Sequence, residues 1–276
     1  MIDLAPNHKL GLLVPNPILL AGGMIGCGEA RHSGLATAAL GAVVIGPITL
    51  NNRSGSTGPR LAELNGGFVW ATGLQNRGVN AVLKQFAALW PRLGCPVIAQ
   101  VADEQPSALA KVAGRLTSAE GLGALELLLP RTAEVDLART LVRTAERATD
   151  LPIWVKLPLE RVLELAPAVV DVGAVGVVVG QPPLGAALPG YAAEASALLT
   201  GALYGPLTFA PMLAALAAVA NLQLPAALIA AGGIHTRMQV QQALAVGAHA
   251  VQLDSAVWVE PGLPARLAAE TWRLRE

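Results

Sequence analysis

The stretch ALELLLPRT, residues 124–132, is apolar at successive positions rather than alternate ones and stops at a proline. A strand with one wet face alternates; a strand covered on both faces, as in a parallel sheet wrapped by helices, does not. Runs of the same kind recur at 18–20, 42–45, 97–101, 124–129, 153–156, 176–179, 226–230 and 250–253. Most are followed by an amphipathic or Ala-rich helical pattern, read near 30–40, 79–90, 106–117, 134–149, 160–170, 211–220, 236–246 and 262–274. Eight strands alternating with eight helices predict an α/β fold, a (β/α)8 TIM barrel over 1–276 as one domain, with a doubly wound open sheet as the alternative. Two connections are about twice as long as the rest, after strand 2 (46–76) and after strand 6 (180–208). Both are rich in Gly and Pro, which predicts turns or a small hairpin.

The composition fits this reading. The 276 residues are 53% hydrophobic and 14% charged, with Lys+Arg and Asp+Glu balanced at 19 each. Mean hydropathy is +0.52 and the pI about 6.9. No basic face is advertised for nucleic acid. Cys27 and Cys95 have no metal-ligand spacing and read as reduced thiols of a cytoplasmic protein. Residues 209–234 carry no charge, but Pro211, Asn221, Gln223, Pro225 and Gly232-Gly233 break them into a helix and a short strand rather than a membrane span.

In barrels of this type the strand C-termini carry the site. Those positions are Gly22 and Gly23, Gly46 and Pro47, Gln100, Leu128 to Pro130, Lys156, Gln181, Gly232 and Gly233, and Asp254 and Ser255. Gly232-Gly233, with Thr236 as a helix cap, reads as half of a backbone phosphate cradle or simply as a tight strand-to-helix turn. Asp254 argues against a phosphate, because a carboxylate within ~5 Å would repel it by roughly 1–4 kcal/mol. Lys156 is the one cation ending a strand. It calls for an anion or electron-rich ligand, or for a structural partner such as Glu126; an aldolase-like Schiff base is a third use. His8, His32, His235 and His249 show no metal or triad spacing and read as loop, cap or packing residues. Trp70 stands out as a large side chain in an inserted loop over the pocket.

The order LLVPNP (12–17), LLAGGMIGCGEA (19–30), GAVVIGPITL (41–50), PRLAELNGGFVWATGLQNRG (59–78), PVIAQVAD (96–103), ALEL (124–127), LPIWVKLP (151–158), GALYGP (201–206), AAGGI (230–234) and GAHAVQL (247–253) resembles class 1 dihydroorotate dehydrogenases nearly end to end. The resemblance implies FMN across the C-terminal face, its phosphate held after strands 7 and 8, with dihydroorotate stacked on the flavin. It places cofactor contacts at Gly22, Gly23, Gln100, Lys156, Gly205, Gly232, Gly233 and Ser255, and substrate contacts at Trp70, Gly73, Leu74 and Gln181. It implies a homodimer or a related subunit as partner, and no metal.

The departures from the family pattern bear on activity. The flavin-contacting lysine after strand 2 falls on Gly46, and the substrate-binding asparagine before Gly-Leu-Gln-Asn falls on Trp70. The asparagine ending strand 3 is Gln100. On strand 4 the family's Leu-Glu-Leu-Asn is Leu125-Glu126-Leu127-Leu128, and the loop bearing the catalytic base is cut short near Pro130 and Arg131. Only Thr132 offers a nearby hydroxyl. Gln181-Pro182 replaces a substrate asparagine and threonine, Tyr204-Gly205 a Ser-Gly, and Asp254-Ser255 a Gly-Thr. The expectation is a divergent FMN-type oxidoreductase scaffold without a catalytic base or efficient dihydroorotate oxidation. The alternative is a non-catalytic barrel serving as a partner subunit, favoured by Asp254, Gly46, Trp70 and the nearly uncharged run from Val172 to Thr236, where only Glu194 is ionised. A lysine-dependent aldolase-like enzyme is the third reading.

Overall fold

The computed structural model describes residues 1–30, 32–188 and 198–272; Arg31, Glu194 and the last two residues of the expected final helix lie outside them. Eight parallel strands close into a barrel: β1 (Ile18–Leu20), β2 (Ala42–Ile48), β3 (Val97–Val101), β4 (Leu122–Leu128), β5 (Ile153–Pro158), β6 (Gly176–Gln181), β7 (Ala227–Ala231) and β8 (Ala250–Leu253). Val251 stands opposite Ile18 and Leu253 opposite Leu20, so β8 pairs with β1 and no edge is left. Closure excludes the open sheet.

Period-two alternation explains the unbroken apolar runs. On β4, Leu125 and Leu127 face the helical shell, while Ala124 faces the barrel interior. The interior is apolar at its lower end, where Leu19, Val44, Ile98, Trp154, Val178 and Ile229 pack together. A short N-terminal ribbon, Ile2–Asp3 paired with Leu13–Val14, closes that end. Trp154 Nε1 donates to the Leu4 carbonyl at 3.1 Å and ties the ribbon to β5. One step up, the inward residues of β3, β4, β5 and β8 turn polar: Gln100, Glu126, Lys156 and Gln252, all buried.

Among the described residues, seven α-helices of eight or more residues wrap the barrel, at Val79–Phe86, Pro106–Thr117, Val135–Ala148, Val162–Val170, Phe209–Ala220, Arg237–Val246 and Leu263–Trp272. The segment 30–40, read as a helix, instead forms turns and one 3-10 turn, Thr37–Ala39. Gly34, at φ +92°, interrupts the chain just before it, and too few residues remain to offset helix nucleation. The final helix packs on β1.

The two long connections do more than turn. Leu61–Leu64 and Gly67–Trp70 form a hairpin after β2, and Leu184–Ala187 and Leu199–Tyr204 a second after β6. Trp70 pairs with Ala202 and Phe68 with Tyr204, which joins both hairpins into one four-stranded antiparallel sheet.

Candidate active site

Beneath that sheet, at the C-terminal ends of the strands, lies a cavity of about 600 Å³. The structure brings eight of the expected positions to its wall: Gly22, Gly23, Gln100 and Lys156 from the strand ends, Trp70, Gly73 and Leu74 from the first insertion, and Gln181 from β6. It separates the other four. Gly205 and Ser255 line a second cavity of about 620 Å³ between the first hairpin and the turn after β8. Gly232 and Gly233 line neither, and Gly233 packs closely on the start of the helix at Phe209.

Lys156 is held inside the barrel mouth. Its Nζ donates to Gln252 Oε1 at 2.7 Å and lies 3.9 Å from Glu126 Oε1. Gln252 Nε2 donates to Glu126 Oε2 at 2.5 Å, and Gln100 Nε2 to Glu126 Oε1 at 2.7 Å. Glu126 is fully buried and Lys156 nearly so, and this pairing is what makes both charges tolerable there. Gln252 is absent from the sequence expectations; it is the sole polar residue of β8, which marks it as unusual without saying which way it points. An ammonium has three N–H donors, and Gln252 accepts one of Lys156's; the residue still reaches the cavity wall. Nothing in this arrangement frees the amine for Schiff-base chemistry, since its nitrogen is held by the Gln252 amide and stands beside the Glu126 carboxylate.

The end of β4 is the plainest part of the site. Leu128, Leu129, Pro130 and Arg131 line the cavity, and the chain enters the next helix at Val135. No cysteine or histidine reaches the cavity wall. Burial pushes the Cys27 and Cys95 thiols up to about 12, so neither is a thiolate near neutral pH. Burial also lowers the Arg131 pKa, opposed by Glu160 3.9 Å away. Gln181 Nε2 donates to the Leu129 carbonyl at 3.2 Å. A carbonyl only accepts, so this bond fixes the amide orientation and leaves Gln181 Oε1 buried with no partner. Such an orphan acceptor costs about 1–3 kcal/mol unless a ligand donor meets it.

Between the two cavities stands an aromatic wall. Trp70 meets Trp258 edge-on with centroids 4.8 Å apart, and Phe68 stacks on Tyr204 at 5.5 Å. Trp70 faces both cavities. At the foot of the wall, Asp254 Oδ1 accepts from the Ser255 amide at 2.6 Å and from the Ser255 hydroxyl at 3.1 Å. Burial raises the Asp254 pKa, opposed by the Ser255 hydrogen bonds and by His235 and Lys156. Burial holds the His235 imidazole below its ordinary range, and its Nε2 has no partner. The other histidines have local roles: His249 Nδ1 accepts from the Leu228 amide, His32 Nε2 pairs with the Met24 carbonyl, and His8 Nδ1 accepts from the Leu10 amide. Among the described residues no group of His, Cys, Asp or Glu is placed to hold a metal, and no helix is long and apolar enough to cross a membrane.

A family model described as dihydroorotate dehydrogenase matches residues 7–271. The catalytic subunit of dihydroorotate dehydrogenase B (NAD(+)) from Desulforudis audaxviator is 32% identical, over 94% of this chain and 89% of that one. Its counterpart from Bacillus pumilus is 29% identical, over 91% and 85%. Among solved structures, DHODH of Eimeria tenella, in complex with ferulenol, matches with a TM-score of 0.75 over 99% of this chain and 86% of that chain. At 18% identity that likeness bears on the fold alone.

Proposed function

The chain belongs to the dihydroorotate dehydrogenase family, and from that premise we propose that its barrel mouth binds a planar heterocycle of the flavin class without oxidising dihydroorotate at a useful rate. The observation that carries this reading is the end of β4, where two leucines, a proline and an arginine occupy the wall and no cysteine or histidine faces the cavity. Oxidation of dihydroorotate removes a C5 proton as hydride leaves C6, and loss of a positioned base costs about 10²–10⁴ in rate. Glu104, at the rim, is exposed, and Asp254 is turned onto Ser255.

The FMN that the resemblance implies meets two unlike ends. The ring end suits it: Lys156 offers N–H donors, Gln181 Oε1 an unpaired acceptor, and Gly22 and Gly23 a wall without side chains. That set complements the adjacent C=O and N–H groups of a lactam or imide ring. The phosphate end does not suit it, since Asp254 stands there and Gly232 and Gly233 line neither cavity. The reading therefore rests on the ring alone, and FMN as a whole does not fit these residues.

The test is an orotate-formation assay with dihydroorotate, added FMN and an artificial electron acceptor, run beside the Bacillus pumilus relative. We expect turnover lower by about 10² or more. Turnover within ten-fold of the relative would defeat the reading.

A second reading, the non-catalytic partner subunit, draws on the surface around the inserted sheet. Leu61, Leu184, Leu198, Leu207 and Val259 are all more than half exposed there. Apolar side chains gathered on one rim mark a surface that another chain covers, and we propose a second copy or a related subunit as that cover. Light scattering should then give twice the 28.2 kDa chain mass for the isolated protein, or for the Leu61→Lys variant a clear loss of association. A monomer at all concentrations leaves the surface without a second copy.

A further inference from the structure

Barrels commonly hold a ligand phosphate on the backbone N–H groups that follow strands 7 and 8. In this chain the donors at the start of the β8 turn are already engaged. The Ser255 amide, the first after β8 and its following residue, donates to Asp254 Oδ1 at 2.6 Å, and the Ser255 hydroxyl donates to the same oxygen at 3.1 Å. Asp254 is 5% exposed and lines the main cavity, so its carboxyl group is inside the site and not swung into solvent. On the β7 side, Gly233 packs closely on Thr208 and Phe209 at the start of the following helix, which leaves no room for a side chain at that turn. Trp70 and Trp258 meet edge-on across the route between the two cavities. The ring end, by contrast, keeps an unsatisfied acceptor: Gln181 is more than nine-tenths buried, with Oε1 unpartnered.

We propose that the Asp254 carboxyl group stands in for a ligand phosphate at the end of β8, so that the mouth accepts planar lactam heterocycles without a phosphate and rejects their phosphorylated forms. This rests on the ring-binding reading above and names its ligand class. The rejection has two parts. The carboxyl group occupies the Ser255 amide and hydroxyl, two donors a phosphate would otherwise take, and in its ionised form it also repels a phosphate. Both parts act at Asp254 and Ser255, while Lys156, Gln181 and Gln100 stay on the cavity wall as the ring end.

Riboflavin and FMN differ only in the phosphate, which makes them the probes. In equilibrium dialysis the native protein should bind riboflavin about ten-fold or more tightly than FMN. Asp254→Gly should close that gap by improving FMN binding with riboflavin unchanged. Asp254→Asn removes the charge but keeps an oxygen for Ser255, and should close it only in part; circular dichroism checks that both variants fold. Equal binding of both flavins by the native protein would overturn the proposal and leave the ring-binding reading standing. Failure of the native protein and both folded variants to bind either flavin would remove the ring-binding reading and this proposal together.

Discussion

Glu126→Leu should lower the free energy of unfolding by about 3–5 kcal/mol, because it strips the buried Lys156 ammonium of its ion-pair partner. The same change removes the acceptor of two amide donors, Gln100 Nε2 at 2.7 Å and Gln252 Nε2 at 2.5 Å. Lys156→Met should cost less, about 1–3 kcal/mol, since the carboxylate it leaves behind keeps both of those charge-assisted bonds. The asymmetry is the content of the prediction. In a simple pair the two losses would match; in a network centred on Glu126 the centre matters most. The double variant should be less destabilised than the sum of the singles by at least about 1 kcal/mol. Urea unfolding of the three variants gives all the terms. If Glu126→Leu costs under about 1 kcal/mol, the network is not what holds the barrel mouth.

The network also marks the boundary of what could be read from sequence. The eight strands were legible because being covered on both faces forces consecutive apolar residues, and ALELLL announces that directly. The pairing of Lys156 with Glu126 was open to anticipation, since a charge ending one apolar strand calls for the charge inside its neighbour. Gln252 was passed over because one polar residue among Ala250, Val251 and Leu253 gives no direction; only the register of the closed barrel turns it inward towards Glu126. The segment 30–40 was misread because its alanines favour helix locally, while the backbone at Gly28 and Gly34 takes positive φ and leaves a single 3-10 turn. The turn-rich composition of the two insertions was legible, but their union into one sheet was not. Pairing between Trp70 and Ala202 joins residues far apart in the chain, and no local pattern encodes it. Four site residues fell away from the main cavity for the same reason: the resemblance fixed Gly205, Gly232, Gly233 and Ser255 in order along the chain, whereas the packing of Phe209 and the aromatic wall decides what they face.

Gly180→Ala should be the most damaging single methyl group that can be added to the site, with a loss of more than about 3 kcal/mol and of ligand binding as well. Gly180 lies at φ +133°, and a Cβ there would stand 1.6 Å from the Ala231 carbonyl oxygen on β7. No rotamer relieves that overlap, because both partners are backbone of adjacent barrel strands. β6 also shifts register here: Val179 pairs with Leu157 and Gln181 with Pro158, which leaves Gly180 unpaired in the bulge. Bulges re-aim the side chain that follows them, and the one that follows is Gln181, whose amide reaches the Leu129 carbonyl and leaves Oε1 buried without a partner. Forcing β6 away from β7 therefore moves the acceptor that the proposed ring would meet. Gly58→Ala supplies the control, since Gly58 also has positive φ, +77°, but a Cβ there meets nothing within 4 Å. Its cost should be near the conformational ~1–2 kcal/mol alone, with riboflavin binding intact. If the two variants lose equal stability, backbone conformation is the whole effect, and the close approach of β6 to β7 plays no part in setting the site.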